Sequence, residues 1–324
     1  MRSGRRKRGT DVKPVLYVVR ALPEARLGPL YEYFEIRGNA PYPLPRQEWL
    51  ADARDAEVLA ITYLDPVDEA LLSALPRLRH LASYGVGVNH IDLPACRACG
   101  LLVTNTPGVV TNATADMTMA LLLAAARRVA EGDRVVRAGG WTEVDPSWML
   151  GSEVTGKTLG LIGFGRIGQA VARRAAGFEL RILYTSPREV PFPGAQRVTL
   201  EELLARSDFV SVHTPLTSAT QNLLSRERIF AMKKGAVLVN TARGSVVDDD
   251  ALADALAQGH IAAAGLDVFR DEPRVPDAYC SLPNVVLTPH LGSGSRETRA
   301  AMARMVLEEI ERVVRGEEPR YRVV

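Results

Sequence analysis

The chain is poor in cysteine, poor in aromatics and has no long apolar run. Three cysteines in 324 residues do not make a disulfide framework. Cys96 and Cys99 form a C-x-x-C in "DLPACRACG", but no second pair of ligands stands at the spacing a zinc site needs. That stretch reads as a short helix ended by Gly100, carrying two structural thiols, and no metal is expected. The longest oily run, "MTMALLLAAA" at Met117–Ala126, falls well short of the ~20 residues that cross a bilayer. A buried helix is expected there, and no membrane partner.

Charge of one sign is also scarce. Arg2, Arg5, Arg6, Lys7 and Arg8 stand in the first ten residues with no acid among them; removing these five from the net +2 leaves −3 for the remainder. Such a balance offers no basic face for nucleic acid. Residues 1–10 read as a solvated, disordered basic tail. No apolar stretch follows the tail, so it is not a secretory signal, and a cytoplasmic location is expected.

What is present suits a soluble globular protein of two domains: 47% hydrophobic and 24% charged residues. In the first part, "KPVLYVV" (13–19), "EVLAIT" (57–62), "LRHLAS" (78–83) and "GLLVTNT" (100–106) are β-rich runs between amphipathic segments. "NAPYPLPR" (39–46) reads as a surface loop. A second series comprises "TLGLIGFG" (158–165), "LRILYT" (180–185), "DFVSVH" (208–213), "AVLVNTA" (236–242), "HIAAAGLDV" (260–268) and "NVVLTPH" (284–290). Strands alternating with helices imply parallel sheets covered on both faces.

The expected fold is therefore α/β with two doubly wound parallel-sheet domains and a hinge and cleft between them. Residues 11–105 plus 291–324 would form a flavodoxin-like substrate domain. Residues 106–290 would form a Rossmann cofactor domain. A long helix is expected over about 112–132, capped by Thr111 or Asn112. A last helix near 295–315 would return to the first domain.

"GLIGFGRIGQAVARR" holds Gly163, Gly165 and Gly168 in G-x-G-x-x-G spacing, after an apolar strand and at the opening of a helix. That context is what the dinucleotide motif requires. One glycine makes the turn, one lets a pyrophosphate approach, and one lets the helix pack close. An acid commonly stands at the end of the next strand, where it would accept the ribose 2′-hydroxyl of NAD. Here Ser186 occupies that place, with Arg188 two residues on. A hydroxyl and a guanidinium suit the 2′-phosphate of NADP. NADP(H) is the expected cofactor, with NAD(H) possible.

Among the five histidines, His290 has the most catalytic context: it ends an apolar strand and enters "LGSGS". Arg243 in "VNTARGSVVDD" and Glu272 in "LDVFRDEP" follow other strands of the series. Strand ends at the carboxyl edge of such a sheet face the ligand. Arg243 would clamp a 2-keto acid, His290 would deliver a proton, and Glu272 would favour the protonated imidazole. His80 and His260 read as ordinary structural or exposed histidines.

"SYGVGVNHID", "NTPGVVTNATAD", "GFGRIG", "VNTARGSVVD", "AAGLDVFRDEP" and "LTPHLGS" occur in the order seen in D-2-hydroxyacid dehydrogenases. The chain resembles the glyoxylate/hydroxypyruvate reductase branch of that family over about residues 50–315. The resemblance implies Arg243, Glu272 and His290 as the catalytic set, and a substrate-carboxylate cradle at the amides of Val86 and Gly87. It implies cofactor contacts at Thr114, Pro215, Thr220, Thr241, Asp267 and Gly292, with Arg166 and Ile167 inside the glycine loop. His213 would lie beside the adenine. Ser186 and Arg188 match the NADP-using pattern. "GGWTEVDPSWMLG" (139–151) resembles the reductases' interdomain loop, in which Trp148 would reach a partner's active site in a homodimer. Pocket size would depend on Tyr63, Leu64 and Trp148. The same machinery acts on 3-phosphoglycerate, D-lactate or phosphite in other members, and the fold also serves corepressors that bind a dinucleotide.

Overall fold

Two runs of parallel strands organise the chain. The computed structural model describes residues 12–324 apart from Glu24 and Pro43; the basic tail expected over 1–10 lies outside the described residues. One unit comprises the described residues up to Val109 together with Arg296–Val324, and the other is Val110–Ser295.

The first unit holds β1 (Val15–Val18), β2 (Glu35–Gly38), β3 (Ala56–Thr62), β4 (His80–Tyr84) and β5 (Leu102–Thr104). Their order is β2-β1-β3-β4-β5, and every pairing is parallel. Every residue of β1 and β4 is buried, which is why these strands read as continuous apolar runs rather than alternating ones. The helix Arg296–Val314 packs on β4, and the Tyr84 hydroxyl donates to the Arg299 carbonyl at 3.1 Å. Past that helix the chain runs antiparallel along β5, where the Val323 amide donates to the Val103 carbonyl at 2.8 Å. Buried Glu309 accepts the amides of Arg320 and Tyr321 at 2.8 and 3.2 Å, which ties this last segment down.

In the second unit lie β6 (Thr158–Ile162), β7 (Arg181–Thr185), β8 (Ala195–Arg197), β9 (Phe209–Val212), β10 (Ala236–Asn240), β11 (Ile261–Leu266) and β12 (Val285–Leu287). The order is β12-β11-β10-β9-β6-β7-β8, again parallel throughout. Val237 and Val239 of β10 pack with Leu159 and Leu161 on one face, while Leu238 packs with Val210 and Val212 on the other. Both faces are therefore buried cores. The strand order reverses between β6 and β9, and the carboxyl ends of strands at such a switch point are where these sheets take their ligands.

Three features depart from expectation. β2 and β8 had not been foreseen: both are short edge strands without a buried residue, so they leave no hydrophobic signature. The long helix is two helices, Thr111–Ala126 and Val129–Arg137, separated at Arg128, which takes a left-handed φ of +54°. The first is largely buried and the second has no buried residue, in step with the change from apolar to charged sequence after Ala126. Neither Thr111 nor Asn112 caps the first helix; the N-cap is Val110, with no side-chain bond.

Candidate active site

The turn after β6 explains each glycine of its motif differently. Gly163 has a φ of +94°, which L side chains rarely adopt. A Cβ on Gly168 would lie 2.4 Å from the Gly163 carbonyl oxygen, so only hydrogen lets the helix Arg166–Ala175 start over the strand end. At Gly165 a Cβ would meet nothing within 4 Å. The fold does not need that glycine, but a pyrophosphate lying across the loop would. The helix N-terminus beyond it has no side-chain cap, leaving its opening amides and positive dipole end for an anion. A dinucleotide pyrophosphate fits these residues. Arg166 is exposed at the first helical position, and Ile167 packs against the core beneath.

The turn after β7 is tied at both ends. The Tyr184 ring stacks on Phe164 of the glycine loop at 4.0 Å, and the Tyr184 hydroxyl donates to the Val190 carbonyl at 3.0 Å. The Ser186 hydroxyl donates to the Arg188 carbonyl, and the Arg188 side chain is exposed. From β8, Arg197 Nη2 donates to the carbonyls of Ser186 and Pro187 at 3.0 and 3.2 Å.

Arg243, Glu272 and His290 follow β10, β11 and β12, three adjacent strands. His290 Nδ1 lies 2.6 Å from Glu272 Oε2, while Glu272 Oε1 accepts the Phe269 amide at 3.0 Å. Burial pushes the Glu272 carboxyl up, but the His290 bond, the Phe269 amide and the charges of His290 and Arg243 outweigh it and hold it below its usual range. His290 has a left-handed φ of +53°, a conformation uncommon for residues other than glycine. Its amide is fixed by the carbonyls of Asp267 and Thr288 at 2.9 and 3.0 Å. Arg243 Nη1 donates to the Ala242 carbonyl at 2.6 Å. Asn240, almost fully buried, donates to the Arg243 carbonyl and accepts the Ala242 amide, both at 3.0 Å.

Beneath His290 sits Asp267, fully buried. Its Oδ1 accepts Thr288 Oγ1 at 2.6 Å and the Leu291 amide at 2.7 Å, and Oδ2 accepts the Gly292 amide at 2.7 Å. Burial raises this carboxyl above its usual range despite those bonds. One carboxylate thus fixes the turn that carries the histidine.

A model of the family described as "D-isomer specific 2-hydroxyacid dehydrogenase, NAD binding domain" matches residues 119–292. The chain belongs to this dehydrogenase family. Among its relatives, a glyoxylate reductase of Korarchaeum cryptofilum is 48% identical over 95% of each chain, and one of Pyrococcus furiosus is 46% identical over 95% of this chain and 94% of the relative. A crystal structure of a Thermus thermophilus protein superposes with a TM-score of 0.91 at 47% identity, covering 96% of this chain and 100% of that one. The NADPH-dependent glyoxylate/hydroxypyruvate reductase of Sinorhizobium meliloti, solved with NADP and malonate, gives 0.85 at 34% identity, over 96% and 97%. This chain is accordingly an NAD(P)-dependent dehydrogenase.

In this family member, four of the expected cofactor residues share one neighbourhood. A Cβ on Gly292 would lie 3.2 Å from Asp267 Oδ2 and 3.5 Å from Thr114 Cγ2. Thr118, fully buried, bonds the Thr241 hydroxyl at 2.9 Å and donates to the Thr114 carbonyl at 2.8 Å. His213 bonds Ser211 at 2.9 Å, and burial lowers its imidazole to about 3, so the ring is neutral. Thr220 closes a turn by donating to the Pro215 carbonyl at 2.6 Å. Val86 and Gly87 belong to the first unit, in the turn after β4, where Asn105 donates to the Val86 carbonyl at 2.8 Å. Trp148 is 43% exposed.

His80 is buried against Thr104 at 2.9 Å, and His260 stacks on Phe230. Burial raises the Cys96 thiol to about 11, and Cys99 bonds the Cys96 carbonyl. Among the described residues no group of three or more His, Cys, Asp or Glu is placed to hold a metal, and no helix is long and apolar enough to cross a membrane.

Sequence reasoning missed Thr118, Asn240, Arg197 and Arg270. Arg270 Nη2 donates to Asn222 Oδ1 at 2.7 Å and to the Val247 carbonyl at 3.3 Å. Gly244 presses on the same backbone, for a Cβ there would lie 2.1 Å from the Phe269 carbonyl carbon. The segment carrying Glu272 is thereby braced on the segment carrying Arg243. No spacing in the sequence announces these contacts, because they join residues far apart in the chain, as Thr118 with Thr241 and Arg270 with Asn222, or run to backbone groups, as those of Asn240 and Arg197 do.

Proposed function

We propose that the protein reduces small 2-keto acids, glyoxylate and hydroxypyruvate first, to glycolate and D-glycerate, with NADPH as the preferred cofactor, in the cytoplasm. The observation that carries this reading is the 2.6 Å contact of His290 Nδ1 with Glu272, beside an arginine at the end of the neighbouring strand. Bound nicotinamide would supply the hydride to the keto carbon. The carboxylate of Glu272 holds the Nδ1 proton and fixes the ring, leaving Nε2 to give a proton to the keto oxygen as it gains charge. Arg243 clamps the substrate through carboxylate and keto oxygen, and the amides of Val86 and Gly87 take the carboxylate. His290 recovers its proton from solvent afterwards.

Cofactor contacts on this reading are the glycine loop with Arg166 and Ile167, then Thr114, His213, Pro215, Thr220, Thr241, Asp267 and Gly292. The Val110–Ser295 unit would bind the dinucleotide and the other unit the substrate. Preference for NADPH rests on Ser186 standing at the end of β7 where an acid would accept the ribose 2′-hydroxyl, with Arg188 two residues on. A homodimer is proposed on the family resemblance and on Val136, Trp141, Val144 and Leu150, which are 57, 58, 86 and 68% exposed in one stretch of chain. Trp148 lies in the same stretch and would serve the partner's site.

The test follows nicotinamide absorbance with glyoxylate, hydroxypyruvate and pyruvate, each with NADPH and NADH. Faster turnover of glyoxylate or hydroxypyruvate with NADPH is expected. No turnover of any keto acid despite tight dinucleotide binding overturns the reading, and faster turnover with NADH overturns its cofactor half. Sedimentation of the protein checks the dimer.

A further inference from the structure

β8 is a three-residue edge strand whose last residue, Arg197, pairs in register with Tyr184 of β7. From there its guanidinium reaches back over the turn that carries Ser186. Nε donates to the Ser186 carbonyl at 3.2 Å, and Nη2 donates to the carbonyls of Ser186 and Pro187 at 3.0 and 3.2 Å. The Arg188 carbonyl is taken by the Ser186 hydroxyl. Three successive carbonyls of the turn are thus occupied from within the chain, while the Arg188 side chain stays exposed. Nη1 of Arg197 has no partner among the described residues.

Exposed carbonyls are satisfied by water, so bonding them gains little for the fold. What the arrangement changes is the field of the turn. Carbonyl oxygens carry partial negative charge and would oppose an anion at the ribose 2′ position. A guanidinium forked across two of them cancels that opposition and sets a second cation beside Arg188. Glu189 is the single acid in the turn. The other end of the turn is already fixed, because Tyr184 bonds both the carbonyl and the amide of Val190, at 3.0 and 3.1 Å, and stacks on Phe164.

We infer that Arg197 is a positioning and specificity-determining residue for the cofactor's 2′-phosphate, holding the Ser186 turn in shape and adding positive charge to it. This rests on the NADPH reading proposed above. It assigns part of that preference to a residue eleven positions past Ser186, supplied by a strand the sequence does not announce.

The test uses the full chain and two probes, 2′,5′-ADP, which carries the phosphate, and 5′-AMP, which lacks it. Binding is measured by calorimetry for wild type, Arg197→Ala, Arg197→Lys and Arg188→Ala. Arg197→Ala is expected to weaken 2′,5′-ADP about tenfold or more while leaving 5′-AMP within about twofold, as loss of a charge-assisted contact demands. Arg197→Lys keeps the charge but not the fork, and an intermediate loss is expected. Equal weakening of both probes by Arg197→Ala, or no weakening of either, overturns the inference. Full retention of 2′,5′-ADP binding by Arg197→Lys overturns the positioning role. If wild type itself binds both probes alike, the NADPH reading fails first. If wild type discriminates and Arg197→Ala still does so equally, only the role of Arg197 falls.

Discussion

Glu272→Gln removes one charge and keeps the shape of the side chain. The amide oxygen can still accept the Phe269 amide, which bonds Oε1 at 3.0 Å in the wild type. Lost is the charge-assisted bond to His290 Nδ1 across 2.6 Å. Bonds of that kind are worth about 1.5–3 kcal/mol where both partners are largely buried, and these side chains are 18 and 21% exposed. If that energy serves proton delivery, kcat/KM for reduction falls by about one to two orders of magnitude. Affinity for NADPH should stay within about twofold, since among the described residues Glu272 bonds His290 and the Phe269 amide alone. The variant should also change how stability depends on pH. The Glu272 carboxyl is held below its ordinary 4.5, so its contribution is full above that value and is lost as pH falls through the lower folded value. The gap in melting temperature between wild type and variant should therefore close in acid. Steady-state kinetics, cofactor titration and melting curves together check this. Wild-type kcat/KM in Glu272→Gln would refute the reasoning. A loss of cofactor binding in proportion to activity would refute it too, by making the pair a structural joint.

Two further perturbations follow from the geometry. Gly165→Ala places a methyl where nothing lies within 4 Å, so the melting temperature of the cofactor-free protein should be unchanged while the Kd for NADPH rises about tenfold or more; a lowered melting temperature would mean the glycine serves the fold. Burial lowers the His80 imidazole from 6.5 to about 4. The unfolded chain therefore takes up that proton first, and stability falls with pH across this window, by about 3 kcal/mol in order of magnitude. Urea unfolding of wild type and His80→Gln across that range should show the wild type losing stability faster; parallel curves would remove His80 as the cause.

The sequence by itself determined the class of the protein and supplied the candidates for its site. Continuous apolar runs at regular intervals gave six of the seven strands of the larger sheet, because strands buried on both faces must be apolar throughout. The spacing of Gly163, Gly165 and Gly168 pointed to the dinucleotide turn, since the backbone at Gly163 and the close approach at Gly168 admit no side chain. Arg243, Glu272 and His290 were legible as candidates because each stands in the segment that follows an apolar strand. Tertiary structure alone decided the rest. That β10, β11 and β12 are neighbours, which sets those three residues side by side, follows from sheet order and not from separation along the chain. The edge strands β2 and β8 bury no side chain and so left no trace in the hydrophobic pattern; Arg197 came to the Ser186 turn on one of them. The break at Arg128 was hidden because its residue type does not betray a left-handed φ. Thr118, Asn240 and Arg270 act through bonds to partners distant in sequence or to backbone carbonyls. Such bonds depend on direction and distance, which a one-dimensional pattern of residue types does not carry.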